Sequence, residues 1–350
     1  MAQIENTFYR FNDKRSSYKD LQQLKETINV NDIGKNEVLL RIKAVSLNYR
    51  DFAVSNGTYP MPIKDGVIPC SDAAAEIVQV GSGVIDLKAG DRVITNFDPL
   101  NLYGQQKTFT TALGAPKDGV LSQYKILPSH AVNKLPNDSH LTDEEAACLV
   151  CTGVTAWNSL YGTADKFIAG QTVLMLGTGG VSITTLILAK AAGAVTIITS
   201  SSDEKLAYVK EKWGVDHTIN YKTNPDWEQQ VLDITHGEGA DFVIENGGSG
   251  TIMKSMAATK VGGQVASIGF LQQAKEMPDV LSLLLLKSIR LRGIAVGSKQ
   301  LAEELIRFVH AKKLRMPVDQ VFGFSVDQVY EAYGKLESQS HIGKIVIKVD

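Results

Sequence analysis

The amino-acid sequence predicts an α/β fold, in which a doubly wound parallel sheet is joined to a second, β-rich domain. Short β-rich runs separated by turn signals fill the chain before Pro136, whereas fully apolar strands alternate with helices after it. A glycine-rich turn at residues 177–182 lies between one of these strands and a long apolar helix. The change of texture predicts two domains, and the turn predicts that the second one binds a nucleotide.

The part of the chain before Pro136 indicates a compact, mostly β unit. Its predicted strands are bounded by glycine turns and cover residues 38–45, 73–80, 92–95 and 123–127. The last part of the chain returns to short pieces and ends in a strand at 344–349, which could rejoin this unit. We therefore assign residues 1–135 and 315–350 to one domain and residues 136–314 to the other.

The second domain shows the alternation that is typical of a parallel sheet covered by helices. Helices are predicted at residues 143–149, 153–161, 181–192 and 203–213. A fully apolar strand is predicted at residues 172–176 and a second buried strand at 195–199, and further β-runs lie at 217–220, 241–245, 264–268 and 289–294. Strands of this kind are buried on both faces, as in a doubly wound sheet.

Composition excludes several classes of partner. The 350 residues carry a net charge of -2, so no field of one sign would attract nucleic acid. The longest apolar run, at 280–286, is far shorter than the roughly 20 residues of a membrane helix. Residues 1–10 lack the pattern of a signal peptide. Three cysteines cannot form a disulfide framework, which favours a reducing compartment, and we expect a cytoplasmic protein.

The glycine-rich turn has the context of a dinucleotide-binding fingerprint, because a strand precedes it and a helix follows it. Gly177 permits the tight turn, and Gly179 lets the backbone approach a pyrophosphate at the helix N-terminus. Ser182 replaces the third glycine of the fingerprint, where a small residue suffices for packing. The alternative is a glycine-rich turn that binds nothing.

The end of the next strand distinguishes the two nicotinamide cofactors. An NAD site would place an acidic residue here, whereas this chain has Ser200, Ser201 and Ser202, followed by Asp203 and, two residues later, Lys205. Hydroxyls and a lysine suit a 2′-phosphate, which predicts NADP(H). The alternative is an ordinary helix start with a serine cap and a solvated lysine, and Asp203 argues against NADP(H).

Several short segments, in their order and spacing, resemble the medium-chain dehydrogenase/reductase superfamily, and most of all its quinone oxidoreductase-like branch. The similarity covers nearly the whole chain, and no segment is decisive alone. The segments are residues 46–51 (Ser-Leu-Asn-Tyr-Arg-Asp), 57–60, 80–84, 88–93, 152–156, 177–182, 220–221, 245–248 and 343–344.

The resemblance implies a GroES-like catalytic domain made from both chain ends and a central Rossmann domain, with the active site in the cleft between them. It also implies nicotinamide-dependent hydride transfer, commonly by a homodimer or tetramer, and we expect a homodimer. Residues 279–286 and 289–294 match the family's oligomer-forming edge, where an exposed strand would pair with its symmetry mate.

The family's cofactor residues are carried over position by position. Ser201, Lys205 and Tyr221 match residues around the 2′-phosphate, although Tyr221 could instead cover the sheet edge. Lys344 could approach the pyrophosphate or an active-site loop, or lie solvated at a strand end. The cofactor-binding residues expected from the motif and the resemblance together are Thr155, Gly177, Gly179, Gly180, Val181, Ser200, Ser201, Lys205, Tyr221, Asn246, Ile268, Phe270, Val296, Ser298 and Lys344.

The resemblance also implies that both zinc sites of the family's alcohol dehydrogenases are lost. Asn48 stands at the first cysteine ligand, and Ser71 and Asp72 replace the His-Glu pair, so only Cys148 matches a ligand position. Residues 96–116, which match the structural zinc lobe, contain no cysteine. Cys148 and Cys151 have C-x-x-C spacing, but we expect two small core residues and no redox pair.

Without zinc, a quinone or conjugated enone is the acceptor that fits best, because it takes hydride directly at an electron-poor carbon. The Asn48 amide could donate a hydrogen bond to the substrate carbonyl, and the Tyr59 hydroxyl could orient the substrate. Asp51 and Asp72 could brace this corner. The alternatives are that Asn48 only fixes a turn, that Tyr59 only packs under its loop, and that Asp51 is structural.

Residues 96–117 form a segment whose apolar side chains could cover the cleft, or which could be a surface excursion. The leading hypothesis is a zinc-independent, NADPH-dependent oxidoreductase that transfers hydride to a quinone, enone or related carbonyl. One alternative is an NAD(P)-dependent alcohol dehydrogenase. Another is an NADPH-binding structural or regulatory protein without turnover.

Overall fold

Strands dominate both ends of the chain, and strands and helices alternate in its middle. The computed structural model describes residues 3–12, 15–276 and 278–349. Its strands are β1 (Gln3–Phe11), β2 (Leu21–Asn29), β3 (Glu37–Ser46), β4 (Asp72–Val80), β5 (Arg92–Thr95), β6 (Tyr124–Pro128), β7 (Val132–Lys134), β8 (Thr172–Met175), β9 (Val195–Ser200), β10 (His217–Asn220), β11 (Ala240–Glu245), β12 (Thr259–Ser267), β13 (Arg290–Gly293), β14 (Val318–Phe322) and β15 (Lys344–Lys348). Its helices are α1 (Tyr49–Ser55), α2 (Asp143–Ala147), α3 (Val154–Tyr161), α4 (Gly180–Ala191), α5 (Asp203–Trp213), α6 (Trp227–Ile234), α7 (Ile252–Ala258), α8 (Val280–Lys287), α9 (Lys299–Ala311) and α10 (Val326–Glu337).

The described chain divides into two units. The first unit comprises residues 1–154 and 296–350, and the second comprises residues 155–295. The sequence predicts the first domain limit at 135/136, about 20 residues before the observed one. It predicts the second limit at 314/315, about 20 residues after the observed one. The predicted fold class is confirmed, because one unit is β-rich and the other is built on a parallel sheet.

The first unit is built on a mainly antiparallel sheet with the strand order β14-β15-β3-β4-β5-β7, and β6 pairs separately with β3. Most residues of strand β3 are apolar and buried, which suits its place at the centre of the sheet. There it pairs with β4, β6 and β15. The C-terminal strand β15 thereby joins the sheet that the N-terminal part of the chain begins, with Val346 opposite Ser46.

The N-terminal hairpin of β1 and β2 is not predicted by the sequence pattern. The two strands pair antiparallel along their whole length, yet β2 exposes most of its side chains on both faces. A strand without apolar alternation gives no periodic signal. The hairpin is anchored through backbone hydrogen bonds from Tyr9 to Leu121 and from Gln123 to Thr7.

The second unit holds a six-stranded parallel sheet in the order β10-β9-β8-β11-β12-β13. Counted within the unit, this is the strand order 3-2-1-4-5-6, which is found in dinucleotide-binding sheets. The strand order reverses between β8 and β11, so their carboxyl ends open at the switch point where such sheets bind ligands. The sequence pattern predicted α5 correctly at both ends because Ser202 caps it and Gly214 ends it in a left-handed conformation.

Within the described ranges, no helix is both long enough and apolar enough to span a bilayer.

The connection that precedes β4 is unusually tight. Cys70 is fully buried and has a φ of +70°, which a residue with a side chain seldom adopts. Gly119 crosses directly over this residue, and a Cβ at Gly119 would lie 1.9 Å from the Cys70 carbonyl oxygen. Only glycine therefore fits at residue 119 without moving the segment that leads to Ser71 and Asp72.

We predict that Gly119→Ala lowers the free energy of unfolding by roughly 1–3 kcal/mol or more, because the new methyl group overpacks a buried backbone crossing. The measurement is urea-induced unfolding followed by circular dichroism. Gly323→Ala is the matched control, since the nearest atom to a Cβ there lies at an ordinary contact distance of 3.7 Å. Equal unfolding midpoints for the two variants would show that the crossing is looser than described.

Candidate active site

Four ionisable or amide side chains of the first unit form a buried cluster that we call the polar corner: Asn48, Asp51, Asp72 and Lys344. Asn48 precedes α1, Asp72 begins β4 and Lys344 begins β15, so three elements contribute to it. All four residues are buried. The Asn48 backbone N–H donates to Asp51 Oδ2 at 2.8 Å, and the Asp51 N–H donates back to the Asn48 carbonyl at 2.8 Å.

The ammonium group of Lys344 points into the polar corner. Its Nζ donates to the Leu47 carbonyl and to Asn48 Oδ1, and the residue is only 3% exposed. The structure therefore does not leave Lys344 solvated at the strand end. Because its ammonium group is already bonded to residues 47 and 48, a contact with the pyrophosphate stays a prediction.

Both carboxyl groups of the polar corner are held by protein donors. Asp72 accepts from Ser71 Oγ at 2.6 Å and from the Cys151 backbone N–H at 2.9 Å. Burial raises the pKa of Asp72, and the strongest opposing influence is the charge of Lys344. Burial also raises the pKa of Asp51 to about 6, and the charge of Arg50 opposes that rise.

The Cys151 N–H that bonds Asp72 lies in an irregular helical turn. Residues Leu149–Gly153 form a π-helical turn between α2 and α3. Such turns leave backbone groups without their usual helical partners and are frequent at functional sites. Asp72 satisfies one of these groups, so it fixes the π-helical turn and begins β4 at the same time.

Arg50 is a buried cation that sequence reasoning missed. Its guanidinium lies 5.2 Å from the ring centre of Tyr59 and 4.6 Å from that of Phe97, and it donates to the Leu113 carbonyl at 2.8 Å. An arginine in the first turn of the short helix α1, directly before Asp51, was the available signal. Tyr59 therefore packs against Arg50, and a contact of its hydroxyl with substrate stays a prediction.

Residues 97–113 form a loop closed at its base by Arg50. Asp98, which is buried, accepts hydrogen bonds from the Leu100 N–H, from Thr111 Oγ1 and from Gln106 Nε2. The Lys299 and Gln300 backbone N–H groups at the start of α9 donate to the carbonyls of residues 101 and 102. Leu100 and Tyr103 are exposed. The loop is thus ordered by one carboxylate and pinned to α9.

The residues at the family's zinc positions do not fit a zinc ion. Asn48 Oδ1 is bonded by Lys344, and both oxygens of Asp72 accept protein hydrogen bonds. Burial raises the thiol pKa of Cys148 to about 11, and its Sγ donates to the Glu144 carbonyl. A thiolate is the form that ligates zinc. Among the described residues, no group of three or more His, Cys, Asp or Glu side chains is arranged to hold a metal ion.

The glycine-rich turn of the second unit fits a pyrophosphate. Gly177 has a φ of +77° and donates its N–H to Thr199 Oγ1 at 3.3 Å. A Cβ at Gly179 would meet no atom within 4 Å, and no side chain caps the start of α4, at Gly180 and Val181. The first N–H groups of a helix without a cap are a ready site for an anion.

Two side chains brace the glycine-rich turn from below. Ser182 Oγ donates to the Leu176 carbonyl at 2.7 Å, so the residue in place of the third glycine also fixes the strand end. Asn246 Nδ2 donates to Ser182 Oγ at 2.9 Å and to the Leu176 carbonyl at 3.2 Å. Asn246 was expected to bind cofactor, and the structure shows it holding the turn that would do so.

The residues expected at the 2′-phosphate lie at the ends of β9 and β10. The Tyr221 N–H donates to the Ser200 carbonyl at 3.0 Å, which brings these two residues together. Ser202 Oγ accepts from the Lys205 N–H at 3.2 Å and caps α5, so Lys205 is in the first turn. The carboxylate of Asp203, the residue that argued for NAD, accepts from Asn220 Nδ2 at 2.8 Å.

The remaining expected residues are spread over both units. Thr155 is buried and is the first residue of the second unit. In the same unit the Ile268 N–H donates to the Glu245 carbonyl at 2.9 Å, and Phe270 is 46% exposed. Val296 and Ser298 belong to the first unit, as Lys344 does. Val296 has a φ of +56°, and Ser298 caps α9. Their contact with a nicotinamide stays a prediction.

Two family models match the chain. The model described as "Alcohol dehydrogenase GroES-like domain" matches residues 34–137, and the model described as "Zinc-binding dehydrogenase" matches residues 180–311. The first match falls in the β-rich unit. The second covers most of the parallel-sheet unit and continues into α9.

Curated relatives span most of the chain. A "Zinc-type alcohol dehydrogenase-like protein" of Schizosaccharomyces pombe is 43% identical, over 91% of this chain and 92% of its own length. A "2-haloacrylate reductase" of Burkholderia sp is 33% identical, over 70% of this chain and 68% of its own. A "2-methylene-furan-3-one reductase" of Solanum lycopersicum is 30% identical, over 94% of this chain and 76% of its own.

Solved structures share the architecture of both units. A crystal structure of an alcohol dehydrogenase-type protein from Sinorhizobium meliloti 1021 has a TM-score of 0.88 and 33% identity, and 98% of each chain is covered. This structural similarity supports the resemblance found in the sequence, as do the β-rich unit, the 3-2-1-4-5-6 parallel sheet and the two matched family models. The chain is an oxidoreductase that belongs to the medium-chain dehydrogenase/reductase superfamily.

Proposed function

We propose that this protein is a zinc-independent, NADPH-dependent reductase of quinones, enones or related carbonyl compounds. The observation that carries the proposal is the state of Asn48. Its Oδ1 is held by Lys344, whereas its Nδ2 is buried and forms no hydrogen bond of normal geometry within the described residues. A donor of this kind suits an acceptor whose carbonyl oxygen gains negative charge during reduction.

The names of two relatives support this class of acceptor. Both 2-haloacrylate and 2-methylene-furan-3-one contain an alkene conjugated with a carbonyl group, and each name gives the activity as reduction. In such an acceptor the hydride adds to the alkene carbon remote from the carbonyl, and a proton adds to the carbon beside it. A quinone takes the same two electrons and becomes a hydroquinone after protonation.

The residues of the polar corner have separate tasks in this proposal. NADPH supplies the hydride when it is bound. Asn48 Nδ2 donates to the acceptor's carbonyl oxygen and stabilises the charge that develops there. Asp51 holds the Asn48 backbone N–H and is a positioning residue. Tyr59, packed against Arg50, would orient the substrate through its hydroxyl.

NADP(H) is favoured over NAD(H) by the end of β9. Ser200, Ser201 and Lys205 offer hydroxyl donors and a positive charge, which suit a 2′-phosphate. Asp203 would repel that phosphate or bind a ribose hydroxyl if its carboxylate were free, but Asn220 already bonds it. Tyr221, held beside Ser200, would lie over the adenine end.

A homodimer would cover the largest exposed apolar side chains of the second unit. Helix α8 exposes Leu281, Leu285 and Leu286 by 73%, 81% and 76%. The neighbouring strand β13 pairs on one side with β12 and is the last strand of the described sheet. An apolar helix beside an open strand edge suits a second copy, whose own β13 could pair with this one.

The central prediction is that the purified protein oxidises NADPH with quinones and enones, and does so much faster than with simple ketones. Asn48→Ala is expected to lower kcat by about 100-fold, the usual cost of losing an oxyanion donor. The measurement is NADPH absorbance across a panel of quinones, enones, aldehydes and ketones, with metal content determined on the same sample.

Asn137→Ala is the control for this panel, because residue 137 is an exposed asparagine in a turn. Rapid oxidation of simple alcohols with NADP⁺, together with one bound metal per chain, would instead indicate an alcohol dehydrogenase. Tight NADPH binding without turnover of any acceptor would contradict the proposed activity altogether.

A second prediction concerns the cofactor. Lys205→Ala is expected to raise the dissociation constant for NADPH about tenfold, because one charge-assisted contact to the 2′-phosphate is lost. The affinity for NADH should not change. Both constants can be measured by fluorescence titration, with Lys210→Ala as the control, since Lys210 is exposed further along α5. An unchanged NADPH affinity in Lys205→Ala would rule out the assigned contact.

The dimer predicts a third outcome. Leu285→Glu should convert the protein to a monomer, because it places a charge in the centre of the apolar face of α8. Light scattering coupled to size-exclusion chromatography measures the mass directly. Ile85→Glu is the control, since Ile85 is 96% exposed in the other unit. A monomeric wild-type protein, or a dimeric Leu285→Glu variant, would refute this interface.

A further inference from the structure

We propose that Lys344 is a positioning residue that fixes the amide of Asn48 in the orientation required to donate a hydrogen bond to the substrate carbonyl. The inference rests on the proposed function and assigns Lys344 to the reaction through Asn48. It differs from the role expected from the sequence, in which Lys344 approaches the pyrophosphate of the cofactor.

The hydrogen-bond chemistry of the two side chains determines the orientation. A lysine ammonium group has three donors and no acceptor, whereas an asparagine amide presents oxygen on one side and NH₂ on the other. Of the two polar atoms of the Asn48 amide, only Oδ1 can therefore accept a hydrogen bond from Lys344 Nζ. A flipped amide would place two donors against each other. Nδ2 is consequently directed away from Lys344. It forms no hydrogen bond of normal geometry within the described residues, although the Asn48 side chain interacts with the Asp72 carboxyl group and lowers its pKa.

Asn48 is thus anchored at two separate points. Asp51 Oδ2 accepts its backbone N–H, which sets the position of the residue before α1. Lys344 Nζ holds its side-chain oxygen and the carbonyl of the preceding Leu47. The first contact places the backbone, and the second one sets the rotation of the amide.

The backbone around Lys344 is built to bring its side chain to this place. Gly343 has a φ of +89°, and a Cβ there would lie 2.3 Å from the Pro317 carbonyl oxygen. The same carbonyl accepts the Lys344 N–H at 2.7 Å. A glycine followed by lysine is therefore required at this turn for β15 to begin with an inward-pointing ammonium group.

The positive charge of Lys344 also acts on four ionisable groups of the first unit. It opposes the rise in the pKa values of Asp51, Asp72, Cys148 and Cys151 that burial causes. A purely structural role as the counter-ion of Asp72 would account for these effects, but it would not require the bond to Asn48 Oδ1. The two roles make different predictions for catalysis.

A double-mutant cycle between residues 344 and 48 separates them. Lys344→Met is expected to lower kcat at least tenfold and to leave the dissociation constant for NADPH within twofold of the wild type. In the Asn48→Ala background the same substitution should change kcat by less than twofold, because the group that Lys344 positions is absent. Lys348→Met is the matched control, since Lys348 lies exposed on the same strand.

Each other outcome overturns the inference. A large rise in the NADPH dissociation constant with unchanged kcat would indicate the pyrophosphate role. An equal loss of kcat in both backgrounds would indicate an effect that does not pass through Asn48. If Asn48→Ala itself retains full kcat, the proposed carbonyl donor is wrong, and the positioning role fails with it.

Two further measurements keep the test decisive. If Lys344→Met does not fold, Lys344→Arg retains the charge beside Asp72 but alters the bond to Asn48, and kcat should still fall while the fold is kept. If no acceptor is reduced, the side-chain amide NMR signals of Asn48, assigned by their loss in Asn48→Ala, report the bond directly. Those signals should shift in the Lys344 variant, and unshifted signals would refute the contact.

Discussion

The first unit depends on the mutual compensation of charged side chains in an interior that excludes water. Asp51 and Asp72 are fully buried, and the two cations Arg50 and Lys344 are almost fully buried. An unpaired buried charge costs several kcal/mol, so two acids and two bases can share this interior only as one mutually compensating set. Lys344 reaches the set because β15 pairs with β3, so the last strand of the chain is tied electrostatically to the start of α1.

The second unit depends on backbone geometry. Its sheet opens at the switch point between β8 and β11, where Gly177 turns the chain and α4 starts without a side-chain cap. Ser182 and Asn246 then fix the strand end from which the turn departs. The glycine-rich turn of the second unit therefore offers a ligand oriented backbone N–H groups, whereas the polar corner of the first unit consists of side chains.

Local signals made most of the second unit predictable from the sequence. The strand, turn and helix around residues 172–191 follow from apolar runs and glycines, and α5 follows from its serine cap and its terminal glycine. The hairpin of β1 and β2 gave no such signal, because β2 is largely exposed. Nor did the sequence reveal that Arg50 closes the loop at 97–113 or that Lys344 bonds Asn48. Those contacts join residues 63 and 296 positions apart, and only the assembled sheet brings them together.

The polar corner also explains how a dehydrogenase scaffold can dispense with a metal at this position. The resemblance places zinc ligands at positions 48, 71, 72 and 148, which in a zinc enzyme surround a divalent cation. In this chain the ammonium group of Lys344 bonds residue 48 and acts electrostatically on Asp72 and Cys148. One lysine therefore supplies positive charge to the positions that a metal would otherwise connect. Unlike a metal it offers no open coordination site. In the proposed function the substrate would therefore be held by a hydrogen bond from Asn48, which suits an acceptor that needs a hydrogen bond better than one that needs a Lewis acid.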